Sequence, residues 1–114
     1  ARLLVVDYYA PWCRVCQRLL RQIQSLAKDP HFHDVAFASV DFEQSRNLCK
    51  AKKVDKLPTM EIYRGDELRQ RWAGASKKRL LERIGNEVAA GEPSFSESGE
   101  VLEASGVTGR PTSP

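Results

Sequence analysis

The sequence predicts an α/β domain, a mixed sheet with helices on both faces. Three observations carry that expectation. Two apolar runs, residues 3–9 and 35–42, flank a stretch with helical period. Gly65-Asp66-Glu67 separates two further strand-like runs, 59–64 and 68–74. A last helical stripe covers 76–90. The order is β-α-β-α-β-β-α. The first two strands, joined through a helix, should lie parallel with a right-handed crossover, and the last two should form an antiparallel hairpin.

Each element has a local cause. "LLVVDYY" is a short apolar and aromatic run suited to a strand covered on both faces. From Cys13 onward the period changes. Cys16, Leu19, Leu20, Ile23, Leu26 and Ala27 form one stripe, with arginines and glutamines elsewhere, so a helix should run to about Lys28 and stop at Asp29-Pro30. "VAFASVDF" reads as the second strand, and residues 45–53 as a short helix. The final helix should bury Leu80, Leu81, Ile84 and Val88, with Gly85 weakening it by roughly 1 kcal/mol relative to Ala. After Gly91 the composition turns to Gly, Ser, Pro and Glu. The expected organisation is therefore a domain over 1–90 and an acidic, disordered tail over 91–114.

Composition narrows the function classes. The chain has 114 residues, 41% hydrophobic and 29% charged, which suits one ordinary core. No apolar run approaches a membrane span. A chain that begins without Met is compatible with a removed targeting segment. The tail's Glu92, Glu97, Glu100 and Glu103 face only Arg110, so residues 1–90 are more basic than the net charge of +3 states. The basic residues are scattered and lack interleaved aromatics, which argues against nucleic acid. His31 and His33 read as solvated loop residues.

Chemistry concentrates at Cys13 and Cys16, two of three cysteines. Three uses fit this spacing: a redox-active dithiol, half of a metal site, and a structural staple. Zinc would need two more ligands, and only His31, His33 and a solitary Cys49 are on offer. A disulfide between residues three apart closes too small a loop to stabilise much. With Cys13 as the first helical residue, its sulfur would face unpaired N–H groups and the positive helix end, favouring thiolate. Arg14 adds a cation alongside, placed to contact substrate. Cys13 would attack a substrate disulfide, and Cys16, one turn later and more buried, would resolve the mixed disulfide.

"VVDYYAPWCRVC" resembles the Val-Asp-Phe-x-Ala-x-Trp-Cys-Gly-Pro-Cys stretch of the thioredoxin family, and "KLPT" resembles its Ile-Pro-Thr. Gly65 and Gly74 also fall where that family has glycines. The resemblance covers roughly residues 3–90. It implies a thioredoxin-like fold and a cofactor-free, metal-free protein disulfide oxidoreductase with a Cys13–Cys16 redox disulfide. It further implies Asp7 as the buried proton acceptor for Cys16, Pro58 as the cis-proline opposite the pair, Leu57 as a backbone contact for substrate, and Trp12 as a shield that touches substrate.

Departures qualify it. Arg14-Val15 replaces Gly-Pro, which favours a less strongly reducing dithiol. Phe37 stands where many thioredoxins carry a lysine near the buried acid. The family's first strand and helix have no counterpart upstream of Arg2, leaving one sheet edge uncovered. "WCRVC" resembles a plastid branch with Trp-Cys-Arg-Lys-Cys, which implies the chloroplast stroma, with the cytoplasm as the alternative. Expected partners are disulfide-containing or dithiol target proteins, acidic ones favoured by the lysines at 50, 52, 53 and 56, together with a reductase or oxidant. No nucleic acid or membrane partner is implied. Cys49 reads as a core residue. The rival function is a thioredoxin-fold subunit of a larger assembly, serving docking or redox sensing.

Overall fold

The computed structural model describes residues 2–91. Strand β1 (Leu3–Tyr9) leads into helix α1 (Arg14–Lys28), strand β2 (Val35–Asp41) and helix α2 (Arg46–Ala51). Strands β3 (Thr59–Arg64) and β4 (Glu67–Ala73) and helix α3 (Lys77–Gly91) complete the order. The four strands lie in the order β2-β1-β3-β4, with β1 parallel to β2 and antiparallel to β3. Gly65, at φ 64°, supplies the left-handed backbone the two-residue β3–β4 turn needs. Of the expected tail over 91–114, Gly91 is the last residue of α3, and residues 92–114 lie outside the described residues.

The sheet is covered differently on its two faces. On one, α1 contributes Leu19, Ile23 and Leu26 and α3 contributes Leu80 and Ile84, packed on Leu3, Val5, Met60, Ile62 and Trp72. On the other, α2 brings Cys49 against Val6, Tyr8 and Val54. Helices on both faces are thus observed, and Cys49 is a core residue. The α1 stripe narrows, because Ala27 is exposed. Asp29 stops α1 and then caps the next turn, its carboxylate accepting from the His31 N–H at 2.9 Å.

One feature corrects the sequence reading and a second lay outside it. Val88 does not enter the core: it is 43% exposed, and Glu87 is buried in its stead. Glu87 follows Leu80 and Ile84 at the i+7 position of their stripe, whereas Val88 is turned about 100° further round. The Glu87 carboxylate is satisfied there by Arg69 at 3.0 Å and Gln70 at 2.6 Å.

The second feature is Glu61, wholly buried in the middle of β3 on the α2 face. Tyr8 and Tyr63 donate hydroxyls to it at 2.8 and 2.9 Å, Arg71 donates at 2.6 Å, and the Lys52 ammonium stands 3.7 Å away. Arg71 is there because β3–β4 register sets it directly opposite Glu61. Removing one partner of a buried ion pair leaves an uncompensated charge. Arg71 is itself a third exposed, which lets water offset part of the loss. Arg71→Met should therefore cost about 2–3 kcal/mol in chemical denaturation. A loss below about 1 kcal/mol would show that water and Lys52 suffice.

Helix α2 ends with the Val54 N–H bonded to Cys49 O and the Lys53 N–H to Lys50 O. This double closure places Lys53 at φ 57°, a position that glycine normally fills. Lys53→Gly should raise stability by about 1 kcal/mol, read as a higher denaturation midpoint. A lowered midpoint would mean that the lysine side chain outweighs its backbone cost.

Candidate functional site

The carboxyl end of β1 runs through Ala10, Pro11 and Trp12 into α1, with the Cys13 N–H bonded to Ala10 O at 3.1 Å. Cys13 is the N-cap of α1 and not its first helical residue. Its backbone is extended, and its sulfur accepts the Cys16 N–H at 3.3 Å. The sulfur therefore occupies the place of a capping oxygen, facing the positive end of the helix. Cys13 and Cys16 are joined as a disulfide, with Cα atoms 5.2 Å apart. Cys13 is partly exposed, whereas Cys16 is fully buried.

Asp7 lies on the same sheet face as Val5 and so beneath α1, fully buried, and neither carboxyl oxygen has a hydrogen-bond partner among the described residues. Burial alone pushes its pKa from 3.8 to about 7. Phe37 on β2 packs against the surrounding core and brings no cation to it.

The Leu57–Pro58 peptide bond is cis. Pro58 is buried at the entry to β3 and its carbonyl accepts the Gly74 N–H at 2.9 Å, tying the loops that precede β3 and follow β4. Leu57 is half-buried beside it. Trp12 is 65% exposed, so it borders the disulfide without being packed. Its indole N–H donates to Glu43 at 2.6 Å. Glu43 is in turn placed by Asp41, whose carboxylate accepts the Glu43 N–H at 2.8 Å. Arg14 and Val15 are exposed on the first turn of α1.

Sequence reasoning missed Glu43, which carries no signal until the β2–α2 loop is seen next to Trp12. Cys49 lies across the sheet among Val6, Tyr8 and Val54, away from the pair, and burial pushes its thiol pKa up. His31 and His33 are exposed. Among the described residues, no three or more His, Cys, Asp or Glu side chains converge as metal ligands.

A disulfide capping a helix, a buried acid on the sheet face that helix covers and a cis-proline at the entry to β3 together define a thiol-disulfide exchange protein. The comparisons with known proteins agree. Residues 1–86 match the family described as Thioredoxin. A thioredoxin of Geodia cydonium is 34% identical over 84 residues, covering 73% of this chain and 77% of that protein. A thioredoxin of Gallus gallus is 31% identical over 83 residues, covering 73% and 77%. The X-ray structure of Fasciola hepatica thioredoxin superposes with a TM-score of 0.70 at 32% identity, covering 75% of this chain and 80% of that one. The chain belongs to the thioredoxin family, whose members are protein disulfide oxidoreductases. Among the described residues, no helix is long and apolar enough to cross a membrane.

Proposed function

We propose that the chain exchanges disulfides with target proteins through Cys13 and Cys16. The observation that carries this reading is their disulfide, at the head of α1 with Asp7 buried beneath. In the reduced protein the Cys13 thiolate attacks a target disulfide. The target S–S bond breaks, a Cys13–target bond forms, and the departing target sulfur takes up a proton. Cys16 then gives its proton to the Asp7 carboxylate and attacks the Cys13 sulfur. The mixed disulfide breaks, the Cys13–Cys16 bond forms, and the target leaves with both sulfurs reduced. Two electrons pass from protein to target, and a dithiol partner restores them. A carboxyl titrating near neutrality suits the acceptor's task.

Leu57 offers its backbone to an extended target segment and Pro58 sets that loop, while Trp12 and Arg14 flank the attacking sulfur. The exposed Lys50, Lys53 and Lys56 support acidic targets, whereas Lys52 is engaged by Glu61 and Tyr63. The Trp-Cys-Arg-x-Cys stretch favours the chloroplast stroma over the cytoplasm. Reduction of insulin disulfides tests the reading: the protein should turn over, and Cys13→Ser should not. Equal, background-level rates from both folded proteins would overturn it in favour of a docking subunit.

A further inference from the structure

Three buried polar atoms on the α1/α3 side of the sheet lack a partner among the described residues: both carboxyl oxygens of Asp7 and the indole Nε1 of Trp72. Their residues lie in one row. Asp7 is registered opposite Met60, and Met60 opposite Trp72. Met60 and Trp72 belong to the core cluster that Val5 joins, and Asp7 shares Val5's face. Adjacent strands are about 4.8 Å apart, so Asp7 and Trp72 stand about 10 Å apart at the backbone. Two side chains and one water are together long enough to bridge that separation, passing the Met60 side chain that stands between the two residues.

Buried polar groups in folded proteins find partners, and an internal water with roughly two to four polar neighbours is a common one. Two carboxyl oxygens and one indole N–H make such a set. The indole is also held in place. The Arg83 guanidinium lies 4.7 Å over its ring and is itself anchored to Gln70 at 2.7 Å.

The other groups on this side of the sheet leave this role open. Helix α1 presents Cys16 and aliphatic side chains, α3 presents Leu80 and Ile84, β2 supplies Phe37 and the register partner Ser39, and β3 supplies Met60. Of these only Cys16 is ionisable, and only once its disulfide is reduced, while Glu61 lies on the opposite face, among the α2-side residues it bonds.

We propose that Trp72 is a positioning residue for disulfide exchange, its indole N–H donating through one internal water to the Asp7 carboxylate and favouring the ionised form. This rests on the role of Asp7 as proton acceptor. A donor to the ionised form lowers the carboxyl's pKa. Without it Asp7 should hold its proton to higher pH and accept less readily from Cys16.

Two measurements test the proposal. In Trp72→Phe, which keeps an aromatic ring and loses the N–H, the Asp7 carboxyl followed by carbon-13 NMR should titrate at higher pH. Release of the mixed disulfide at neutral pH should slow several-fold, with its pH profile displaced upward and the initial attack by Cys13 unchanged. In the wild-type protein the Trp72 indole proton resonance should move with pH at the Asp7 midpoint, and that movement should vanish in Asp7→Asn. The second measurement holds even if Trp72→Phe folds poorly. An indole resonance that ignores pH, or that still moves in Asp7→Asn, overturns the link. An unchanged Asp7 titration in folded Trp72→Phe does the same. If wild-type Asp7 does not titrate near neutrality, the acceptor reading itself fails, and the indole measurement reports that separately.

Discussion

Cys16→Ser is expected to convert a turning-over protein into a covalent trap. Cys13 would still open a target disulfide, because its sulfur sits at the α1 N-terminus independently of Cys16 chemistry. Release needs a second sulfur within reach, and only Cys16 is one turn away, its Cα 5.2 Å distant. A serine hydroxyl cannot displace sulfur. Turnover of insulin should fall to background, and non-reducing gels of an incubated extract should show adducts that reductant removes. The double variant Cys13→Ser, Cys16→Ser should show none. A folded Cys16→Ser protein that still turned over at more than a few per cent of the wild-type rate would exclude Cys16 as the resolving group.

The second large effect is thermodynamic and belongs to Asp7. Its pKa rises on folding from 3.8 to about 7. Below pH 3.8 both folded and unfolded chains carry the proton, and the group imposes no penalty. Between the two values the folded chain keeps a proton that the unfolded chain has lost, so stability falls as pH rises. Above about pH 7 the folded chain must hold a buried carboxylate, stripped of most of its hydration. The displacement corresponds to about 4 kcal/mol. Asp7→Asn removes the titration, and the cost of burying its amide does not depend on pH. Relative to the wild type, the variant should therefore gain about 4 kcal/mol between pH 4 and pH 8, measured by urea denaturation at each. A difference that stays constant across that range would mean that the carboxyl is solvated in the folded protein.

The two carboxylates of the sheet show how far a sequence can be read. The burial of Asp7 was legible, because "VVDYYAPWCRVC" resembles the thioredoxin stretch whose acid is buried and because the acid sits within an apolar strand. Glu61 was not. A lone glutamate in "TMEIYR" looks like the outward position of a half-exposed strand, and nothing local announces Tyr8 or Arg71 as its partners. Those partners come from register, which is set by the whole sheet. Elements marked by both period and punctuation were read closely. Strand β3 over 59–64 matched in full, and α1 ended where Asp29-Pro30 said it should. Helix α3 was read to the right length with its last buried position misassigned, since Val88 is the better hydrophobe but Glu87 holds the better angle. The start of α1 was off by one residue, because a cysteine that caps and a cysteine that begins a helix leave the same trace.

That last distinction bears on how the attacking residue should be replaced. Because the Cys13 sulfur accepts the Cys16 N–H, any substitution there alters a structural anchor as well as a reagent. Serine keeps an acceptor at the same point and is among the residues best suited to it, so it silences the chemistry and leaves the helix tied down. Alanine removes both, and the freed first turn should cost about 1 kcal/mol. An inert alanine protein would confound lost reactivity with a frayed platform for Val15 and Cys16. The serine protein isolates the reactivity, and the stability gap between the two gauges how much of the sulfur's work is mechanical.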